Sequence, residues 1–129
     1  MNPSEIHILL VEDNALNQMI ITKLVQRIPF RITLADDGEE AIQYIQRENN
    51  AFDLILMDLH LPGMDGYETA QKIRALPQGA DTPIVALTAG KESALPEQVE
   101  QAGMVDLLNK PINIDALKEI VETHVSPRG

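Results

Sequence analysis

The chain contains no cysteine, no long apolar run, and only ten lysines and arginines against twenty aspartates and glutamates. Without cysteine, disulfides and thiolate metal sites are excluded. No apolar run approaches the length of a membrane span, and the N-terminus lacks the basic stretch and apolar region of a signal peptide. We therefore expect a cytoplasmic protein that makes no direct contact with a membrane.

The shortage of positive charge leaves a formal net charge of −10 at pH 7. Nucleic acids and anionic membranes are also negative, so this charge argues against direct binding to either. One interpretation of the charge is solubility, and another is a local acidic cluster that binds a cation. The length of 129 residues and the hydrophobic content of 44% predict one domain, 1–129, with a core of ordinary size.

Short apolar runs alternate along the chain with stretches of helical periodicity. The runs predict strands at 6–11, 30–35, 54–57, 84–87 and 105–109. The periodic stretches predict helices at 15–28 after Asn14, at 36–48, at 65–76 from the Asp65–Glu68 capping pair, at about 96–103, and from Asn113 to about 124. Five alternations of strand and helix predict an α/β fold, a doubly wound parallel sheet with helices on both faces.

The third apolar run ends in a carboxylate, Asp58, and a Pro62–Gly63 turn signal follows. Burying an unpaired carboxylate is costly, so Asp58 needs either a solvated position or a partner. In open parallel sheets, functional groups collect at the carboxyl ends of the strands. We therefore expect the partners of Asp58 to follow the other strands.

Four strand ends carry candidate functional side chains: Glu12 and Asp13, Asp58, Thr88, and Lys110. Clustered carboxylates repel one another unless a cation lies among them, and an all-oxygen ligand set favours Mg²⁺ before Ca²⁺. A metal, a lysine, a hydroxyl and a carboxylate are the groups that phosphoryl transfer uses. Asp58 is ionised at neutral pH, so it needs no base to act as a nucleophile.

Each of these residues also has a plainer interpretation. Asp13 would cap the helix that follows it, Thr88 would be an ordinary β-branched strand residue, and Lys110 would be a solvated surface side chain. Their joint placement at the strand ends favours the functional interpretation.

Four segments, LLVEDNALNQ, LILMDLHLPGMDGYE, PIVALTAG and NKPI, resemble the sequence blocks of response-regulator receiver domains, and most of all those of hybrid sensor histidine kinases. The resemblance covers about residues 6 to 125. It implies a flavodoxin-like fold with strand order 2-1-3-4-5 and a place in a two-component phosphorelay. Asp58 would be the phosphoacceptor, and the donor would be a phosphohistidine on a histidine kinase or a histidine phosphotransfer domain.

The resemblance also implies a metal site. Asp13 and Asp58 would ligate Mg²⁺ directly, Glu12 largely through water, and the backbone carbonyl of His60 would complete the protein ligands.

The resemblance further implies a docking patch for the histidine-bearing partner. Exposed side chains among Ala15, Leu16 and Met19, near Pro111 and Ile112, would form it.

Three further residues would act on the phosphoryl group. Lys110 would pair with one phosphoryl oxygen, while the Thr88 hydroxyl and the Ala89 amide would donate to others. A cis peptide bond at Lys110–Pro111 is also implied.

The chain departs from the family pattern at Leu107, because receivers usually carry tyrosine or phenylalanine at this position. Either leucine simply packs there, or the coupling of Thr88 to the far face differs.

Two other functions remain open. A Mg²⁺-dependent phosphohydrolase of the aspartyl-phosphate type usually has a second acid two residues after its nucleophile, and His60 at that position counts against it. A pseudo-receiver that only binds partners also remains possible, because Leu107 replaces the usual aromatic residue.

We expect a module that catalyses its own phosphorylation rather than a turnover enzyme. We expect it to be a monomer or a weak dimer. The chain is either a stand-alone receiver or a segment of a hybrid kinase, and its motifs favour the segment.

Overall fold

The computed structural model describes residues 6–26, 30–48, 52–89, 96–110 and 112–125. Strands and α-helices alternate through these ranges. The elements are β1 Ile6–Val11, α1 Ala15–Val25, β2 Phe30–Ala35, α2 Gly38–Glu48, β3 Leu54–Asp58, α3 Gly66–Arg74, β4 Ile84–Thr88, α4 Pro96–Gln101, β5 Asp106–Asn109 and α5 Ile114–His124, with a 3₁₀ helix at Pro77–Gly79. Within the described ranges, every helix is too short or too polar to traverse a lipid bilayer.

The five strands form one sheet in the order β2-β1-β3-β4-β5, and all neighbouring strands are parallel. The predicted fold and strand order are therefore confirmed. In the register of the sheet, Val11 lies opposite Ala35 and Met57. Asp58 lies opposite Leu87, so the ends of the three inner strands meet at one edge.

The core lies on both faces of the sheet, because side chains on a strand alternate between its two faces. Leu9, Ile55 and Ala86 belong to the cluster covered by α2, α3 and α4. Ile8, Leu56 and Val85 belong to the cluster covered by α1 and α5. All five residues of β3 are buried, as expected for a central strand covered on both sides. Asp58 therefore ends a strand that is buried along its whole length.

Three of the predicted helix caps are confirmed by hydrogen bonds from backbone amides to side-chain oxygens. Asn14 accepts from the amide of Asn17 at 3.0 Å, Asp65 from Glu68 at 2.9 Å, and Asn113 from Ala116 at 2.7 Å.

Several boundaries differ from the prediction. α1 ends at Val25 rather than at 28, and 27–29 lie outside the described residues. α3 ends at Arg74 rather than at 76, and the 3₁₀ helix that follows was not predicted. β3 and β4 each extend one residue further than predicted, through Asp58 and Thr88. Both candidate residues are thus held by the sheet itself.

Candidate functional site

Three carboxylates predicted to cluster do meet at the carboxyl edge of the sheet. Glu12, Asp13 and Asp58 each offer one oxygen, and these oxygens lie within 4.8 Å of one another. Glu12 and Asp58 are only 1% and 3% exposed, whereas Asp13 is exposed. Glu12 and Asp13 follow β1 directly, and Asp58 ends the adjacent strand β3, so the parallel register places all three together.

Lys110 supplies the partner that the buried carboxylates need. Its Nζ lies 2.8 Å from Glu12 Oε1 and 3.1 Å from Asp58 Oδ2. An uncompensated buried carboxylate costs several kcal/mol, so one ammonium between two carboxylates offsets much of that cost. The sequence predicted a partner for Asp58 at this edge, but it did not predict that Lys110 would bridge two acids.

Backbone amides occupy the other oxygen of each buried carboxylate. Glu12 Oε2 accepts from the Asn14 amide at 3.2 Å, and Asp58 Oδ1 accepts from the His60 amide at 3.0 Å. Charge-assisted bonds of this kind are stronger than neutral ones. Each buried carboxylate is therefore held at two points. One is Lys110, which follows β5, and the other is a backbone amide two residues further along the chain.

The pKa values of Glu12 and Lys110 are shifted by burial and by their contacts with each other and with Asp58. Burial raises the pKa of Glu12 above its ordinary value, and the neighbouring charge of Asp58 adds to the rise, while the bond to Lys110 opposes it. Burial alone would lower the pKa of Lys110, but its hydrogen bonds to Glu12 and Asp58 outweigh that effect and raise it. Lys110 therefore stays a cation at neutral pH.

The other predicted residues lie along the same edge. Thr88 is fully buried at the end of β4, and its backbone carbonyl accepts from the Lys110 amide at 2.7 Å. Ala89 follows it and is exposed, as is His60 two residues after Asp58. Pro111 lies outside the described residues, as does the implied cis bond.

The alternative that Leu107 simply packs is supported by its surroundings. Its side chain is half-buried and lies against the core cluster on the α2–α4 face of the sheet.

Gly66 is a site residue that the sequence reasoning missed. A Cβ at this position would lie 2.3 Å from the Asp58 carbonyl oxygen and 2.8 Å from Leu59 Cα, and the Gly66 amide donates to the Leu59 carbonyl at 3.2 Å. α3 can therefore begin directly against the backbone of Asp58 only if its first residue has no side chain. The available signal was a glycine just after the capping residue Asp65, where no turn requires one.

The response regulator receiver domain family matches residues 8–122 of the chain. Sensor histidine kinase AruS of Pseudomonas aeruginosa is 39% identical over 117 residues, which cover 89% of this chain and 12% of that protein. Hybrid signal transduction histidine kinase I of Dictyostelium discoideum is 34% identical over 123 residues, which cover 92% of this chain and 7% of that protein. The chain thus spans a small part of these relatives.

Two solved structures are similar over nearly the whole chain. The receiver domain of a sensor histidine kinase from Pseudomonas aeruginosa PAO1, with a magnesium ion coordinated in its active site cleft, has a TM-score of 0.82 and 41% identity, covering 92% of this chain and 95% of that one. A co-crystal structure of the Saccharomyces cerevisiae histidine phosphotransfer protein Ypd1 and the receiver domain of Ssk1 contains a chain with a TM-score of 0.78 and 35% identity, covering 93% and 89%.

Proposed function

Because the chain belongs to the response regulator receiver domain family of two-component signalling, we propose that Asp58 is its phosphoacceptor. The observation that carries this proposal is the setting of one carboxylate: Asp58 ends the central strand, contacts Lys110 and lies among two further acids. An acid with a purely structural role would need only a partner such as Lys110, whereas Asp58 also belongs to a cluster of three carboxylates that could hold a metal ion. The donor would be a phosphohistidine on a histidine kinase or a histidine phosphotransfer protein.

We propose that the site holds Mg²⁺, with Asp13 and Asp58 as direct ligands, Glu12 acting through water, and the His60 carbonyl as the fourth protein group. The donor set fits this ion, because oxygen ligands and a carboxylate cluster are what Mg²⁺ prefers. A similar receiver domain was solved with magnesium in its active site cleft. Bound there, the ion would neutralise charge on the carboxylates and on phosphoryl oxygens.

Transfer of the phosphoryl group would involve Asp58, Lys110, Thr88 and Ala89. A carboxylate oxygen of Asp58 forms the new bond to phosphorus as the bond from phosphorus to the donor imidazole breaks, and the electron pair of that bond leaves with the imidazole. Lys110, already 3.1 Å from Asp58, would pair with a phosphoryl oxygen. The Thr88 hydroxyl and the Ala89 amide would donate to the remaining oxygens.

An apolar patch beside the site supports a protein partner. Leu16, Met19 and Ile20, which we call the α1 patch, are 61%, 50% and 38% exposed. Ile20 also lines a shallow depression that includes Ile112 and Lys110. Exposed apolar patches mark interaction surfaces, and we propose that a histidine-bearing helical partner docks here. A similar receiver was crystallised with a histidine phosphotransfer protein.

We further propose that residues 1–129 form one domain, that this domain is not a turnover enzyme, and that it works in the cytoplasm. The net charge of −10 supports a chain that binds neither nucleic acid nor membrane directly. His60 stands where an aspartyl-phosphate phosphohydrolase would carry its second acid, which weighs against that alternative.

The test is intact-mass measurement after incubation with acetyl phosphate, with and without Mg²⁺. Wild type should gain one phosphoryl group only when Mg²⁺ is present, and Asp58→Asn should gain none while keeping its fold by circular dichroism. Asp81→Asn is the matched control, because Asp81 is exposed and precedes β4, at the opposite end of the parallel strands from Asp58, so labelling should stay intact. Labelling of Asp58→Asn, or no response of wild type to either acetyl phosphate or beryllofluoride, would contradict the proposal.

A further inference from the structure

Gln18 of α1 connects the ends of two strands through its side-chain amide. Its Nε2 donates to the Glu12 backbone carbonyl at 2.6 Å and to Asp36 Oδ1 at 2.7 Å. A carboxamide nitrogen carries two hydrogens, so both bonds form at once. Glu12 follows β1 and Asp36 follows β2, so Gln18 fastens the helix to both strands just beside the carboxylate cluster.

Both ends of this connection are themselves held. The Gln18 amide donates to the Asn14 carbonyl at 3.0 Å, and the Gln18 carbonyl accepts from Thr22 Oγ1 at 2.7 Å. The Asp36 amide donates to Glu40 Oε1 at 2.7 Å. The side chain of Gln18 therefore extends from a fixed helix to acceptors on a fixed backbone.

The three carboxylates differ in what holds them. Glu12 and Asp58 each contact Lys110 and a backbone amide. Asp13 is exposed, and in the part of the chain that the structure describes its carboxylate makes neither a hydrogen bond nor an ion pair. Its direction therefore depends on the backbone that carries it. The peptide group that joins Glu12 to Asp13 presents its carbonyl to Gln18.

We propose that Gln18 is a positioning residue for the metal site. By holding the Glu12 carbonyl, it fixes the peptide plane from which Asp13 extends, and so it sets how well Asp13 and Asp58 can ligate one ion together. Groups that orient metal ligands typically change metal affinity by roughly tenfold or more when removed. The inference rests on the proposed Mg²⁺ site, and it adds a residue that does not itself touch the ion.

The experiment is a Mg²⁺ titration followed by amide chemical shifts in ¹H–¹⁵N spectra, with Tm measured in EDTA. Gln18→Met keeps a side chain of similar length but removes both N–H donors, and its Kd for Mg²⁺ should rise roughly tenfold. Gln43→Met is the matched control, because Gln43 is exposed on α2 and the same chemical change is made there outside the Gln18 connection. Its Kd should stay within about twofold of wild type, a change worth less than 0.5 kcal/mol at RT of about 0.59 kcal/mol.

The outcomes separate this inference from the proposed function. No Mg²⁺ binding by wild type would overturn the metal site itself. Binding by wild type with an unchanged Kd in Gln18→Met would overturn only the role of Gln18, and a lower Tm with that unchanged Kd would identify it as a purely structural residue. If Gln18→Met fails to fold, Gln18→Asn, which is one methylene too short to reach both acceptors, gives the same comparison.

Discussion

At the scale of single residues, Lys110 accounts for how two buried acids coexist. Glu12 and Asp58 are almost fully enclosed, yet each keeps an oxygen about 3 Å from the same ammonium, at 2.8 and 3.1 Å. Removing one partner of a buried ion pair typically costs about 3–5 kcal/mol, because a charge is left without compensation. Lys110 thus has a structural role in the metal-free protein in addition to its proposed role toward phosphate.

The raised pKa of Glu12 predicts how stability depends on pH. Burial raises this pKa above the unfolded value of 4.5, so the ionised form is the less favourable one in the folded protein, and stability falls as pH rises through the folded pKa. Glu12→Gln resembles the protonated form. Lys110 keeps Asp58 as a partner in this variant. In EDTA the variant should therefore be more stable than wild type at pH 8, with no such gain below pH 4.5.

Urea unfolding at several pH values from 4 to 8 measures this difference. Glu119→Gln is the matched control, because Glu119 is exposed and its replacement should give a difference that does not vary with pH. A Glu12→Gln variant that is less stable than wild type at pH 8 would show that pairing with Lys110 outweighs burial.

The sequence predicted which residue types gather at the site but not how they pair. Five residues at strand ends follow from the alternation of strands and helices, because parallel register brings the ends of strands together. Whether Lys110 points to one acid, to two, or to solvent depends on its rotamer, which no pattern encodes. Nothing in the sequence pattern indicated a role for Gln18, because glutamine is common on helix surfaces. The contacts of the Gln18 side chain depend on how α1 packs on the sheet.

At the scale of elements, the junction of β3 and α3 is built on Gly66. Gly66→Ala should cost about 1–3 kcal/mol, because the new methyl group would meet the backbone of Asp58 at 2.3 Å, and backbone cannot move as a side-chain end can. Relief of that contact would displace Asp58, so affinity for Mg²⁺ should fall with stability. Urea midpoints and a Mg²⁺ titration of the same variant test both expectations.

Gly63→Ala is the control for this junction. Gly63 has a φ of +71°, so alanine would be strained there, but nothing lies within 4 Å of the added Cβ. We expect a loss of about 1–2 kcal/mol from the backbone alone, with Mg²⁺ affinity unchanged. Equal Mg²⁺ affinities in Gly66→Ala and Gly63→Ala would rule out the contact with Asp58 as the cause.

The elements themselves were largely predictable, because their apolar periodicity and capping residues agree. The connection after α3 was not. Arg74 donates to the backbone carbonyls of Gly79, Thr82 and Gly103 at 2.9, 2.6 and 2.9 Å, which draws the chain into the 3₁₀ turn at Pro77–Gly79. An arginine that binds carbonyls so far along the sequence cannot be distinguished in advance from one that faces solvent.

At the scale of the whole molecule, the α1 patch is an apolar surface on a strongly acidic protein. The double variant Leu16→Glu/Met19→Glu should slow phosphoryl transfer from a histidine phosphotransfer protein at least about tenfold, because interface anchors typically contribute more than 1 kcal/mol each. Labelling by acetyl phosphate should be unchanged, since that donor needs no docking surface. Intact-mass time courses with both donors give the two rates.

Val105→Glu is the control, because Val105 is similarly exposed at 47% but precedes β5 rather than lying on α1. It should transfer from both donors at the wild-type rate. Equal slowing in Val105→Glu would mean that added negative charge, rather than loss of the α1 patch, repels the partner.

The single ammonium shared by Glu12 and Asp58 has a consequence for the order of events. The metal-free cluster holds three carboxyl groups around a single lysine, so acidic groups outnumber basic ones there. A donor that brings a negatively charged phosphoryl group is repelled by that cluster, and a divalent cation cancels the repulsion. With Mg²⁺ as the proposed ion, the cation would bind first and the donor second, and the concentration of free Mg²⁺ would limit how fast the domain is phosphorylated.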